Sequence, residues 1–353
     1  MRAIVLSADG VALDAGYTDP SPTAGEVLIR PTRMGVCATD LELARGYMDF
    51  AGVLGHEFVG VVESLGQGVD KSWLGKRVVG EINCVCGTCD MCQSGLKEHC
   101  RQRTVLGIAG RDGCFAERFA LPASNLHAVP DNVDDDSAVF AEPLAAAYQI
   151  LRQLTIQGRP YITVLGDGRL GLLCAQVLSK LNATVRCIGK HDAKLGLCQK
   201  WGGKHRLLAD DGPTQDQDIV VDCTGSATGL TTALAMVRPR GTIVMKTTVA
   251  PPTADGTSPD VANSPDLSPI VIHEINVVGS RCGPFGTALE ALSAGEVDVV
   301  SLISRRMKLG DGAAVLGAAA KPGVLKVLLE VCILRILILM FRMDMDSWEP
   351  LTV

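Results

Sequence analysis

Val164-Leu165-Gly166-Asp167-Gly168-Arg169-Leu170-Gly171 is the stretch that decides the fold. The apolar strand Tyr161–Leu165 runs into G-x-G-x-x-G, and a helical stretch, Leu170–Leu181, follows at once. Strand, glycines, then helix is the context in which this spacing holds a dinucleotide pyrophosphate; a structural glycine turn is the bland alternative. Gly166 permits the tight turn, Gly168 lets the backbone approach the phosphates, and Gly171 lets the helix pack close to the strand. The helix N-terminus then offers free N–H groups to negative charge. Asp167, Arg169 and Leu170 complete the cofactor-binding loop.

Further apolar strands are expected at Thr184–Ile188, Asp218–Asp222, Thr242–Met245 and Ile275–Val278. Strands alternating with longer helical stretches predict an α/β, doubly wound parallel sheet. The second strand ends at Gly189-Lys190-His191, where an acidic side chain would accept the adenosine ribose hydroxyls and repel a 2′-phosphate. Gly189 is neutral and Lys190 cationic, so with His191 the pattern favours NADP over NAD. Asp222-Cys223-Thr224-Gly225 closes a later strand, which places Thr224 and Gly225 on the cofactor cleft.

Upstream, Gly25–Arg30, Phe58–Glu63 and Arg77–Ile82 are short extended runs separated by glycine and proline, as in a barrel-like β domain. Glu142–Leu154 is the helix that leaves it. Ala250–Pro269 is polar and Pro-rich, as surface loops are. More helix is expected at Leu289–Leu292 and around Val324–Glu330. The apolar tail Val331–Phe341 contains Arg335 and is too short for a bilayer, which takes about 20 residues.

Cys86, Cys89, Cys92 and Cys100 follow C-x2-C-x2-C-x7-C in a segment too polar to be core. Four thiolates on one compact loop surround a zinc tetrahedrally and leave no open position, so this zinc is structural. Cys84 lies just outside the spacing, and His99 fits it less well than Cys100. A second constellation joins Cys37 to His56-Glu57, 19 residues on. Thiolate, imidazole and carboxylate are donors that zinc accepts. Cys37 and His56 are the firm candidates, while Glu57 and Glu142 can exchange with water. Thr39 and Asp40 can form a helix N-cap pair for Leu41–Arg45, a role compatible with any other they have.

At 353 residues the chain has room for two domains. Its 47% apolar and 20% charged residues exclude a disordered or fibrous protein. A net charge of −6 supplies no field for nucleic acid or an anionic membrane. Met1–Gly10 carries Asp9 and no long apolar core, unlike a secretory signal. Thirteen cysteines without such a signal point to a reducing, cytoplasmic setting.

With these motifs in this order, the chain resembles the zinc-dependent medium-chain dehydrogenases, the alcohol and polyol dehydrogenase superfamily. Glu142-Pro143-Leu144 and Gly279–Phe285 resemble its glucose, sorbitol and threonine dehydrogenase side. The resemblance implies a GroES-like catalytic domain over 1–150, with a zinc lobe at 84–100. A Rossmann domain over 151–284, a return to the catalytic domain over 285–331 and an extension over 332–353 follow. It implies two zincs per chain, a dimer or tetramer, and hydride transfer between a small alcohol, polyol or sugar and NAD(P). Thr39 would bond the reacting oxygen and Asp40 would orient His56. Glu42 stands where many members carry a relay histidine, so protons would leave through Glu42, a ribose hydroxyl or water. The competing readings are a zinc-free quinone or enone reductase on the same fold and a zinc module that binds nucleic acid. The Cys37, His56 and Glu57 set argues against the first, and the charge against the second.

Overall fold

Six parallel strands lie in the order Lys204–Leu207, Thr184–Gly189, Tyr161–Leu165, Gln217–Asp222, Val237–Met245, Asn276–Gly279. Numbered along the chain this is 3-2-1-4-5-6, the dinucleotide-binding arrangement. The computed structural model describes residues 1–248 and 265–331. Most of the loop expected at Ala250–Pro269, and the apolar tail beyond Val331, lie outside the described residues. Strand order reverses between Tyr161–Leu165 and Gln217–Asp222, so a crevice opens beyond their C-terminal ends, at Gly166 and Thr224.

The sheet is built from strands buried on both faces. Ile162, Val164, Val220 and Val221 are fully buried, as continuous β-branched runs demand when helices cover both sides. Helix Arg169–Ser179 covers one face with Leu172, Leu173, Val177 and Leu178. Helix Ala141–Gln153 buries Leu144, Ala145, Ala147 and Ile150 in the same cluster, so it packs with the parallel sheet.

The second body is β-rich. Its main sheet runs Leu126–Ala128, Arg77–Gly80, Glu57–Leu65, Glu26–Gly35, Lys326–Glu330, Ile303–Lys308, with Phe119–Pro122 also paired to Glu26–Gly35. The Val324–Glu330 region, expected as helix, is therefore a strand. Lys326–Glu330 lies one strand in from the sheet's edge and pairs with strands on both sides, and this overrides its helix-compatible composition. The chain thus returns to its first sheet after completing the parallel one. Among the described residues, no helix is long and apolar enough to cross a membrane.

Candidate metal centre and coenzyme cleft

Strand register brings the first cluster together. Glu26–Gly35 and Glu57–Leu65 are antiparallel with Gly35 opposite Glu57, so Cys37 and His56, just beyond the paired ends, meet in space. Gly55 makes that approach possible: its φ is +93°, and a Cβ there would lie 2.2 Å from the Phe115 ring. Cys37 caps helix Ala38–Leu43, and its N–H donates to the Asp40 carboxylate at 2.8 Å. The cap is thus Cys37, not Thr39 or Asp40, and Asp40 occupies the third helical position.

Cys37, His56 and Glu57 each offer a ligand atom, all within 4.8 Å of one another. His56 and Glu57 are buried. Asp40, fully buried, has Oδ1 3.3 Å from His56 Nδ1, on the side where it fixes the ring. Burial alone would raise the Cys37 thiol, but His56 and Arg169 draw it down to about 5. Burial disfavours imidazolium at His56, yet Asp40 and Cys37 together hold it well above its ordinary range. Such a charge-separated pair, with His56 buried and Cys37 half-buried, is an arrangement that a divalent cation relieves. The donors fit zinc.

Thr39 Oγ1 lies 3.7 Å from Cys37 Sγ, so its hydroxyl is at the cluster. Glu142 is not among the three converging ligands. It stands near enough for burial and the Cys37 charge to raise its carboxyl to about 7, against the opposing pull of His56, Arg169 and Lys246. Glu42 accepts from Arg45 at 2.6 Å in a solvent-facing ion pair.

Sequence reasoning missed Lys326. It opens the returning strand, is fully buried, and forms an ion pair with the equally buried Glu57. Burial pushes its ammonium down to about 7, with Cys37 and Asp40 pulling the other way. Its Nζ also lies 5.3 Å from the centre of the Phe140 ring. No local pattern marks one lysine in an apolar run as a partner of Glu57.

The four lobe cysteines also converge. Sγ separations are 3.5 Å for Cys86–Cys100, 3.6 Å for Cys89–Cys92 and 3.8 Å for Cys89–Cys100. Backbone N–H groups at Thr88 and Cys89 lower Cys86 to about 6, while desolvation and its thiol neighbours raise Cys92 to about 12. Cys84 and His99 stay outside the group. Arg281 ties the lobe to the parallel sheet's last loop, donating to Glu98 O at 2.9 Å.

At the crevice, Gly166 has φ +111° and its N–H donates to Ile188 O at 2.8 Å. Gly168 caps the helix that Arg169 and Leu170 begin. Arg169 reaches across to the β-rich body and donates to Val36 O at 2.8 Å and Leu325 O at 3.0 Å. Those carbonyls adjoin Cys37 and Lys326, so the glycine loop is stitched to the cluster of Cys37, His56 and Glu57. Thr224 folds back onto Asp222, and Gly225 N–H donates to Thr247 Oγ1 at 2.9 Å.

Gly171 leaves no room for a side chain, since a Cβ there would lie 2.0 Å from Gly166 O. Gly171→Ala is expected to displace the loop, cost about 1–3 kcal/mol and weaken NAD(P)H binding about tenfold or more. Fluorescence titration beside a melting curve checks this; unchanged coenzyme affinity would contradict it.

Gly189 is itself neutral, but an acidic side chain from the glycine loop stands beside it. A Cβ on Gly189 would lie 2.4 Å from Asp167, whose carboxylate stands over the glycine. It accepts from the N–H groups of Lys190 at 2.7 Å and His191 at 2.6 Å. His191 Nδ1 is 3.0 Å from the same carboxylate, so that ring and both amides are engaged by Asp167.

Comparison with known proteins places this geometry. Residues 23–131 match the alcohol dehydrogenase GroES-like domain. An L-threonine 3-dehydrogenase of Salmonella typhi is 30% identical over 245 residues, spanning 64% of this chain and 71% of that protein. The chain belongs to the zinc-binding medium-chain dehydrogenases. A sorbitol dehydrogenase of Halalkalibacterium halodurans is 28% identical over 349 residues, 93% of this chain and 99% of that one. The crystal structure of a Sinorhizobium meliloti 1021 protein, described as a zinc-binding dehydrogenase bound to NADP, superposes with TM-score 0.81. It is 28% identical and covers 93% of this chain and 98% of its own. The chain is thus a medium-chain dehydrogenase of the alcohol and polyol class, working with NAD(P).

Proposed function

We propose that this dehydrogenase is zinc-dependent, with Cys37, His56 and Glu57 holding a catalytic ion and Glu142 as an exchangeable further ligand. The supporting observation is the meeting of thiolate, imidazole and carboxylate within 4.8 Å, beside a glycine loop joined to them through Arg169. When bound, the zinc supplies Lewis acidity, which makes a substrate hydroxyl easier to deprotonate. Thr39 then holds the substrate oxygen through its hydroxyl, and Asp40 keeps His56 in one orientation. Lys326 balances Glu57 while the carboxylate is not engaged elsewhere. Protons leave through Glu42, a ribose hydroxyl or water; Glu42 stands toward the surface, paired with Arg45. Gly166, Gly168 and Gly171 seat the pyrophosphate, and Thr224 and Gly225 line the cleft.

A second zinc, held by Cys86, Cys89, Cys92 and Cys100, stabilises the lobe. The substrates are small secondary alcohols, polyols, sugars or amino-alcohols, as the sorbitol and threonine dehydrogenase relatives suggest. Gly189 and Lys190 argue for NADP, and the Asp167 carboxylate argues against it. A dimer or tetramer in the cytoplasm completes the reading, and the thiols are all free among the described residues.

Metal analysis tests the proposal directly. Two zincs per chain are expected. Removing the weaker-held one by dialysis against a chelator should abolish oxidation across a panel of alcohols and sugars, with return on zinc addition. A single zinc per chain, or full turnover after its removal, would sink the catalytic assignment.

A further inference from the structure

We infer that Asp167, from within the glycine loop, replaces the acid missing at residue 189 and makes the chain select NAD over NADP. This rests on the crevice being the coenzyme site. Thr184–Gly189 is the strand next to Tyr161–Leu165, and its C-terminal end is where a doubly wound sheet meets the adenosine ribose. A side chain on residue 189 would normally reach that point. Here Gly189 has none, and the Asp167 carboxylate fills the space, overlapping where a Cβ would be. Glycine at 189 is therefore what admits the carboxylate, not the mark of a neutral site.

Three contacts hold the carboxylate there. Its Oδ2 accepts from the Lys190 and His191 N–H groups at 2.7 and 2.6 Å, and His191 Nδ1 lies 3.1 Å from Oδ1 and 3.0 Å from Oδ2. Asp167 is only 7% exposed, whereas Lys190 faces solvent. Two consequences follow for the ligand. Successive backbone N–H groups at a strand end are the donors that would bind a 2′-phosphate, and Asp167 already occupies them. The carboxylate also accepts hydrogen bonds and donates none, so it suits a ribose bearing free 2′- and 3′-hydroxyls.

A 2′-phosphate would bring a second anion against it. Lys190 opposes this effect, but its charge is exposed and screened by water and salt, while the Asp167 charge is largely buried. The carboxylate dominates, reversing the preference that Gly189 and Lys190 suggest when read alone.

Binding of NADH and NADPH to the zinc-loaded protein, without any alcohol present, is the test. Nicotinamide fluorescence gives both dissociation constants. NADH is expected to bind at least about tenfold more tightly than NADPH at the same ionic strength. Asp167→Asn keeps the shape and an acceptor for the amides but removes the charge, and should move the ratio toward NADPH by about tenfold. Equal or tighter NADPH binding by the unaltered protein would overturn the inference, whatever the variant does. A ratio unchanged in Asp167→Asn would overturn the assignment to this residue. Binding of neither coenzyme would instead remove the crevice as the coenzyme site.

Discussion

Cys37→Ser is expected to lower kcat/KM for alcohol oxidation by three orders of magnitude or more, about 4 kcal/mol of transition-state stabilisation, while the protein stays folded. The separation of activity from folding comes from the residue's two positions at once. Cys37 is a candidate metal ligand through its thiolate, and it is also the N-cap of helix Ala38–Leu43. Serine is a favoured N-cap, so the helix keeps its start and the Cys37 N–H can still donate to Asp40. What serine lacks is a readily formed, soft anion: the thiol is drawn to about 5 by His56 and Arg169, whereas a serine hydroxyl stays neutral. The variant should carry one zinc per chain where the parent carries two, with the lobe's ion retained. Circular dichroism, metal content and steady-state rates on one preparation decide it. Turnover within tenfold of the parent would remove Cys37 from the chemistry, and loss of both ions would mean the change had unfolded the domain.

How much of this site could be read from the chain depends on how its parts are brought together. The lobe cysteines are legible because all four lie between residues 86 and 100, where spacing nearly determines geometry. Cys37 and His56-Glu57 stand out as residue types, but their contact depends on the register that sets Gly35 opposite Glu57. Asp167 was visible as part of the glycine fingerprint, yet its place over Gly189 follows from two neighbouring strand ends that sequence does not align. Lys326 was beyond reach. It arrives on a strand that follows the whole parallel sheet in chain order, in a segment whose Leu-Lys-Val-Leu-Leu-Glu composition suits a helix equally well. Only the sheet, with Leu328 opposite Gly35 and Val36 N–H donating to Val327 O at 3.0 Å, makes it a strand and points it at Glu57.

That placement makes Lys326→Met strongly destabilising to the β-rich body, by about 3–5 kcal/mol in metal-free protein. Methionine fills nearly the same volume as the lysine stem, so little of the loss comes from packing. The cost is electrostatic: Glu57, fully buried, keeps its charge without a partner or must take up a proton. Solvent-facing pairs such as Arg45–Glu42 contribute about 0–1 kcal/mol by comparison. Removing both charges, in Glu57→Gln with Lys326→Met, should restore much of the stability, because no unpaired ion remains in the core. Turnover should not return with it if Glu57 is a metal ligand. Zinc adds a further discrimination, since a cation at Cys37 and His56 can neutralise the freed carboxylate, and the loss in Lys326→Met should then be smaller in zinc-loaded than in metal-free protein. Urea denaturation of the unaltered protein, Lys326→Met and the double variant, each with and without zinc, reads all of these differences. If the double variant is no more stable than Lys326→Met, the loss does not come from an unpaired charge at Glu57, and the ammonium's contact with the Phe140 ring is what the lysine contributes.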